Sequence, residues 1–524
     1  MNNAYADYLR YVRDHPVSFV TYNPDALTAL ADRFDKGNVD GKGYNTALKL
    51  AGPQSSQGWE GVYEGPFSFP QDHGPHYNIR NEWYYLAGNF PNTANPSQPI
   101  SIVFSSKRRG IIPPGRQAQG STPATYDLWL EQLAITLPFL EGDQQHINHL
   151  DYVLASDKDT QVSATASPFR WNVGNNDFVY RLYSPTNDMF PMKFEVQDTK
   201  RGVVINLTLS LPPTKLSGGK GYFLEGDKGC APCISGLGYR YYSWPLLLAQ
   251  GTILAPGLGA PIPIEGQMWL DHQWGARMGP LGYTDSTFLR AVRVMQGSVS
   301  PPIPRWNWFF FQLSDGTQVT TARLPAGPAS DGKGPFQLTN TTVIRSVDGT
   351  YDTKRYTGTV TYDGFITDPI TKATYPSGWT IDVMGMKLHL KPTVVNQFLG
   401  NDSDVGVWEG GVLINGVYND KAVTGYGFAE MMGYESDKLT FQNAMKNGLG
   451  MDPTKVDMFL PSKPSGWERF GAGVYVFLPL VLLALVVGLS FKFKSWQGIT
   501  TLIVSACVIY IIVMQVVNSR RGRF

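Results

Sequence analysis

The spacing of apolar positions changes character three times along the chain. In the first 50 residues it is helical: Tyr5, Tyr8, Leu9 and Val12 share one face. A second run, residues 24–34, opens on Asn23 as an N-cap with Pro24 at the first helical position. Residues 52–58, rich in Gly, Ser and Gln, read as a linker. From Trp59 onward the period falls to two. Residues 203–210 alternate cleanly, with Val204, Asn206, Thr208 and Ser210 on one face, and the aromatic run 306–313 ends in the turn Ser314-Asp315-Gly316. Strands at roughly ten-residue spacing with turn residues between them predict a mainly β core. Some 380 residues exceed one small barrel, so two consecutive antiparallel β-barrels are expected.

The end of the chain follows a third pattern. Residues 470–491 and 495–519 carry no charge, and each is long enough to cross a hydrocarbon core of about 30 Å as a helix. Only Lys492, Phe493 and Lys494 separate them, which predicts a transmembrane helical hairpin. The expected organisation is therefore a helical leader and linker (1–58), a first barrel (59–280), a second barrel (281–440), a juxtamembrane linker (441–469), two membrane helices (470–519) and a basic tail (520–524). Lys463, Arg469, Arg520, Arg521 and Arg523 flank one side of the hairpin, against Lys492 and Lys494 on the other. The positive-inside rule then places the large domain on the cytoplasmic side of a two-span membrane protein. The first residues, with Asp7, Arg10 and Arg13, show no apolar signal segment, in keeping with that side.

Composition narrows the function. With 44 basic and 43 acidic residues the net charge is +1, so no field of one sign recruits nucleic acid. Of three Cys, Cys230 and Cys233 form a single CxxC in a Gly-rich loop, expected to have no redox or metal role, and Cys507 lies in an apolar run.

Four stretches concentrate chemistry. Residues 69–88 bring Asp72, His73, His76, Arg80, Glu82, Trp83 and Tyr85 into a turn followed by a strand. Residues 239–245 set Tyr241 and Tyr242 beside Arg240, and residues 267–275 place Asp271-His272 between Trp269 and Trp274. Trp408-Glu409-Gly410-Gly411 precedes the run 425–434. Asp271 and His272 alternate across a strand, so only one of them faces a barrel interior. The inward member would protonate an alkene, aromatic faces would stabilise the cation, and water would capture it without a cofactor. A structural reading competes: Asp72, His73, Arg80 and Glu82 as a buried network closing the barrel, with the Trp residues as filling. A third uses His73, His76 and His272 with Asp72 as metal ligands if the loop meets the strand, although no metal is the primary expectation. His146 and His149 have no motif around them and read as solvated surface.

In this order, the four stretches resemble the CrtC/AttH-type lipocalin-like family, which includes bacterial carotenoid 1,2-hydratases and related fungal cyclases. The family's FPxDHGxH…EWWY, YYSxP, WxDHxWG and WEGxxxxxG…GxGYxELxGY patterns are matched by residues 69–85, 241–245, 269–275 and 408–434. The resemblance implies two lipocalin-like barrels. It also implies a site for a hydrophobic small molecule such as an isoprenoid, carotenoid or lipid, with His272 and Asp271 as catalytic candidates. Trp269, Trp274, Trp83, Tyr85, Tyr242, His73 and Glu82 would be ligand-binding candidates. Two departures weigh against hydration itself: residues 308–311 are apolar where the hydratases carry Tyr and Asp, and Tyr84 stands in place of the second Trp. The expectation is a membrane-anchored ligand-binding protein. Its rivals are a hydratase or cyclase, and a scaffold with protein partners in a membrane assembly.

Overall fold

The computed structural model describes residues 1–19, 22–52, 57–63, 65–212, 222–225, 228–231, 238–275, 287–297, 305–324, 332–344, 356–399, 406–460, 462–490 and 504. Helix α1 (Asn2–Asp14) buries the face that the spacing singles out. Helix α2 (Pro24–Asp35) is capped by Asn23, whose side chain accepts the Asp25 N–H at 2.9 Å. A third helix, α3 (Gly41–Leu50), was not announced by apolar spacing; Asp40 caps it by accepting the Gly43 N–H.

The first sheet is built from β1 (Asn81–Phe90), β2 (Ile100–Gly110), β3 (Asp127–Thr136), β4 (His146–Leu154), β5 (Gln161–Ala166), β6 (Phe169–Gly174), β7 (Phe178–Tyr183), β8 (Met192–Asp198) and β9 (Val203–Ser210). The short β10 (Phe223–Leu224) and β11 (Cys230–Ala231) and the long β12 (Tyr239–Leu254) and β13 (Ile262–Gly275) complete it. The strand order is β4-β3-β2-β1-β13-β12-β9-β8-β7-β6-β5, with β10 and β11 added beside β12. The expected first closed barrel is thereby corrected to a curled half-barrel, because among the described residues no ladder joins β4 to β5. Large inward side chains account for this. Phe104 packs against Phe194 at 4.9 Å and Trp129 against Trp171 at 4.9 Å, holding the two halves of the sheet at side-chain distance rather than hydrogen-bond distance.

Helix α4 (Thr287–Met295) leads to the second unit: β14 (Trp306–Leu313), β15 (Gln318–Arg323), β16 (Phe336–Ile344), β17 (Tyr356–Thr367), β18 (Thr374–Val383), β19 (Met386–Pro392), β20 (Val407–Tyr418) and β21 (Lys421–Met432). These eight close into a barrel in sequence order, as expected. Phe309, Trp379 and Trp408 pack in its interior, with ring separations of 5.9 and 5.5 Å, among aliphatic side chains.

The two units meet along the outer faces of β1, β2 and β13 on one side and β14, β20 and β21 on the other. Trp269 packs on Phe310 at 4.8 Å, and the Asn89 side chain donates to the Gly427 carbonyl at 3.2 Å. Burial on both faces explains why β1 and β3 lack polar alternation, whereas β5 and β9 keep it. The leader is a third wall of this assembly. Its apolar faces pack on Leu128 and Leu130 of β3 and on Phe441, Met445 and Leu449 of α5 (Asp437–Leu449), and Arg33 donates to the Leu449 carbonyl at 2.7 Å.

Helix α6 (Gly466–Ser490) is long and apolar enough to cross a membrane, and Phe477, Val481, Leu483 and Leu485 are exposed along it. Its first turns pack through Ala472 and Val476 on Ala291 and Val294 of α4 and on Phe19. The second run of the expected hairpin lies outside the described residues, Val504 apart, and so do Cys233 and Cys507.

Candidate functional site

Strand register sorts the candidate residues into two rows. His272 of β13 stands between Tyr84 of β1 and Tyr242 of β12, while Asp271 stands between Tyr85 and Ser243. Successive side chains point to opposite faces. The first row faces the interior of the half-barrel and the second faces the seam with the second barrel. His272 is thus the inward member of the pair, and Asp271 is equally buried on the other side.

In the interior the 69–85 segment folds over the end of the sheet. The single turn Gln71–His73 and the strand beginning at Asn81 set its side chains against β12 and β13. A continuous chain of hydrogen bonds results. His73 Nδ1 lies 2.8 Å from the Tyr242 hydroxyl, which lies 2.8 Å from His272 Nδ1; His272 Nε2 lies 3.0 Å from Glu82 Oε1. His76 Nδ1 reaches the same Glu82 oxygen at 2.6 Å, and its Nε2 lies 3.4 Å from Asp72. The second Glu82 oxygen accepts from the His76 backbone N–H at 2.8 Å and from Arg108 Nε at 3.2 Å. Arg108 also reaches Asp127 at 3.2 Å and the carbonyls of His76 and Ile79. The network foreseen from Asp72, His73 and Glu82 exists, but its guanidinium is that of Arg108. Arg80 lies instead near Tyr5 and Tyr8 of the leader.

Aromatic rings hold each imidazole. Tyr84 stacks on His272 at 4.0 Å, Trp274 on His76 at 4.0 Å and Phe69 on His73 at 4.4 Å. Electrostatics then fixes the protons. Burial alone would raise Glu82, but His76, His272 and Arg108 hold it well below the usual carboxylate range. Burial would lower His76, yet Glu82 and Asp72 more than offset it and raise it to about 9. Burial, aided by His272, pushes His73 down to about 3, and burial also lowers His272. A neutral His272 facing an ionised Glu82 must donate through Nε2, so its Nδ1 accepts the Tyr242 proton. Tyr242 oxygen in turn accepts from His73 Nδ1. His73 Nε2 makes no hydrogen bond among the described residues, and half-buried Phe67, Phe69, Phe190 and Tyr222 gather around its end of the chain.

At the seam Asp271 accepts from Tyr241 at 2.8 Å, Trp269 at 2.6 Å and Ser243, and burial still pushes it up to about 7. Glu409 and Glu430 face each other across β20 and β21. Burial and the charge of Glu430 push Glu409 up to about 8, opposed by Tyr85 and Lys107. The fold therefore brings together His73, Glu82, Tyr242, His272 and Trp274, and it separates them from Trp83, Tyr85, Trp269 and Asp271. Sequence reading missed Arg108 and Asp127 in the first group, and it named Glu409 and the run holding Glu430 without foreseeing that they pair at the seam.

His149 corrects the solvated-surface reading. It is buried, because β4 packs inward there, and it contacts the Tyr180 hydroxyl at 2.5 Å and Asp198 at 3.5 Å. His146 is half-buried and lies 3.0 Å from Thr136 Oγ1. A cleft of about 830 Å³ opens elsewhere, between α3, β4, the turn after β17 and α5, and none of the signature residues lines it.

The AttH-like family pattern matches residues 61–434, which contain both rows of the site. The chain belongs to the AttH-like family. Among solved structures, a putative AttH from Nitrosomonas europaea is similar to this AttH-like protein at 18% identity and a TM-score of 0.51, covering 72% of this chain and 99% of its own. Kievitone hydratase from Nectria haematococca is similar at 13% identity and a TM-score of 0.44, over 72% of this chain and 98% of its own. No curated protein matches the AttH-like chain in sequence.

Proposed function

We propose that this AttH-like protein takes a hydrophobic small molecule of isoprenoid or lipid type from a bilayer into the aromatic mouth of its first sheet. The observation that carries the reading is the His73–Tyr242–His272–Glu82 chain, whose outer nitrogen, His73 Nε2, is unengaged beneath half-buried aromatics. A proton accepted there has a continuous route to Glu82. The apolar α6, close to the body of the protein through α4, supports delivery from a membrane, with the large domain on the cytoplasmic side. The second barrel, filled by its own side chains, serves as scaffold.

The polarity of the chain favours a second, more specific reading as a hydratase. Hydration adds a proton to one alkene carbon and a hydroxyl from water to its neighbour. His73 is the group through which the proton leaves water or reaches carbon, and the relay holds it between the two steps. No cofactor enters.

Organic extracts of the detergent-solubilised full chain, read by mass spectrometry, test both readings. A hydrophobic molecule is expected with the wild type and depleted with Phe69→Ala. Supplied again in heavy-oxygen water, it gains one water with the wild type and none with Tyr242→Phe. An empty extract, with no uptake from a membrane lipid extract, overturns the ligand reading. A bound molecule that never gains or loses water overturns the hydratase reading alone.

A further inference from the structure

We infer that His76 Nδ1, His272 Nε2 and Glu82 Oε1 form a site for a zinc-class divalent cation, and that the cation interrupts the proton chain. The three atoms lie within 4.8 Å of one another, and the donor set is two imidazoles and one carboxylate, a set that zinc accepts. The stronger observation is that each ligand already has the outer partner that a metal ligand requires. His76 Nε2 has Asp72 at 3.4 Å, and the distal Glu82 oxygen is held by Arg108 and the His76 backbone N–H.

His272 needs a change of tautomer, and the site provides for it. With the cation on Nε2, its proton moves to Nδ1 and is donated to the Tyr242 oxygen. The Tyr242 proton then turns to the Asp72 carbonyl, which already lies 3.2 Å away. His73, Tyr242 and His272 keep hydrogen-bond partners in both states. Trp274 and Tyr84 hold the two rings face-on, so their nitrogens keep their aim. Bonds of about 2.0–2.2 Å in tetrahedral geometry set ligand atoms roughly 3.3 Å apart, so Glu82 Oε1, now 2.6 Å from His76 Nδ1 and 3.0 Å from His272 Nε2, withdraws as the cation enters. Arg108 serves Glu82 and Asp127, while Asp72 lies against His76, so the incoming cation takes the place of the Nδ1 proton of His76 and keeps the Asp72 contact on Nε2.

The His149–Asp151–Asp198 cluster is the instructive contrast. There Arg201 pairs with Asp151 at 2.8 Å and with Asp198 at 2.7 Å, so a guanidinium already fills the cation position. At Glu82 Oε1 the recorded neighbours among the described residues are the two imidazoles, and Arg108 holds the other oxygen. The effect on turnover rests on the function proposed above; binding itself does not.

The experiment adds zinc alone to the dialysed full chain in detergent. One zinc per chain is expected, with X-ray absorption showing nitrogen and oxygen neighbours at about 2.0–2.2 Å. His76→Ala and His272→Gln should lose it, Asp72→Asn should weaken it by about 10- to 100-fold, and His149→Ala should keep it. Asp72→Asn and His149→Ala also serve if the ligand variants do not fold. Folded wild type without stoichiometric zinc, or equal binding by His76→Ala, overturns the inference. Zinc binding in a protein with no ligand and no turnover leaves this site standing and removes the proposed function. Turnover that bound zinc leaves untouched overturns the interruption of the chain.

Discussion

Tyr242→Phe removes one oxygen and no carbon, so its effect isolates the hydroxyl at the centre of the relay. That hydroxyl lies 2.8 Å from both His73 Nδ1 and His272 Nδ1, inside a region where Tyr242 and His272 are fully buried. Phenylalanine keeps the edge-on contacts of the ring with Phe67 and Trp244, so packing changes little. What changes is that two buried ring nitrogens lose their partner. Leaving a buried polar group unsatisfied costs about 1–3 kcal/mol, so the pair costs about 2–6 kcal/mol before relaxation. His73 retains 7% exposure, enough for a water to relieve part of its share, which brings the expected loss to about 2–4 kcal/mol. At 1.4 kcal/mol per tenfold, the unfolded population rises by about 30- to 1000-fold. Denaturant unfolding followed by tryptophan fluorescence measures it. Tyr222→Phe, beside the same mouth but without a hydrogen bond among the described residues, should stay within about 0.5 kcal/mol. If Tyr242→Phe also stays within that margin, the hydroxyl does not hold the two imidazoles and the relay does not exist.

Three further predictions concern the rest of the molecule. A Cβ on Gly411 would overlap Ser101 Oγ and sit 2.9 Å from Ser101 Cβ, so Gly411→Val should part the two units and show in solution scattering as a larger radius of gyration. Glu409, ordinarily near 4.5 and pushed up to about 8, contributes stability that is whole below about 4.5 and is lost as pH rises through about 8. Glu409→Gln should therefore flatten the fall in thermal midpoint between about pH 5 and about pH 8; an unchanged slope would remove the seam from the explanation. Val481 and Leu485 are exposed on α6, and replacing both with Lys, at about 2.5–3.5 kcal/mol each at a bilayer centre, should move the chain from the membrane fraction to the soluble one.

The motif segments, the helical leader and the closed second barrel were legible because local periodicity and turn chemistry carry them. Alternation alone stated that Asp271 and His272 part company. It could not say that the outward residue is buried too, since that depends on a second barrel packing against the outer face. Nothing local announces such double coverage: Asp127–Thr136 is buried along its whole length yet includes Asp127, Glu131 and Gln132. Register was not legible: Tyr84, His272 and Tyr242 meet only because β1 and β12 flank β13 across long stretches of chain. The exchange of Arg80 for Arg108 has the same origin, for both are arginines near strand ends and only pairing decides which one reaches Glu82. Closure of the first sheet was equally invisible, because whether β4 and β5 pair depends on how much side-chain volume lies between them.

The central claim is a proton chain of fixed direction, and the tautomers of its imidazoles test it most directly. Heavy-nitrogen labelling of the seven histidines of the full chain, read by NMR near neutral pH, reports which nitrogen of each ring carries a proton. His73 should be neutral with its proton on Nδ1, His272 neutral with its proton on Nε2, and His76 protonated on both nitrogens. A His272 carrying its proton on Nδ1 in zinc-free protein, or a His73 free to exchange between tautomers, would contradict the account.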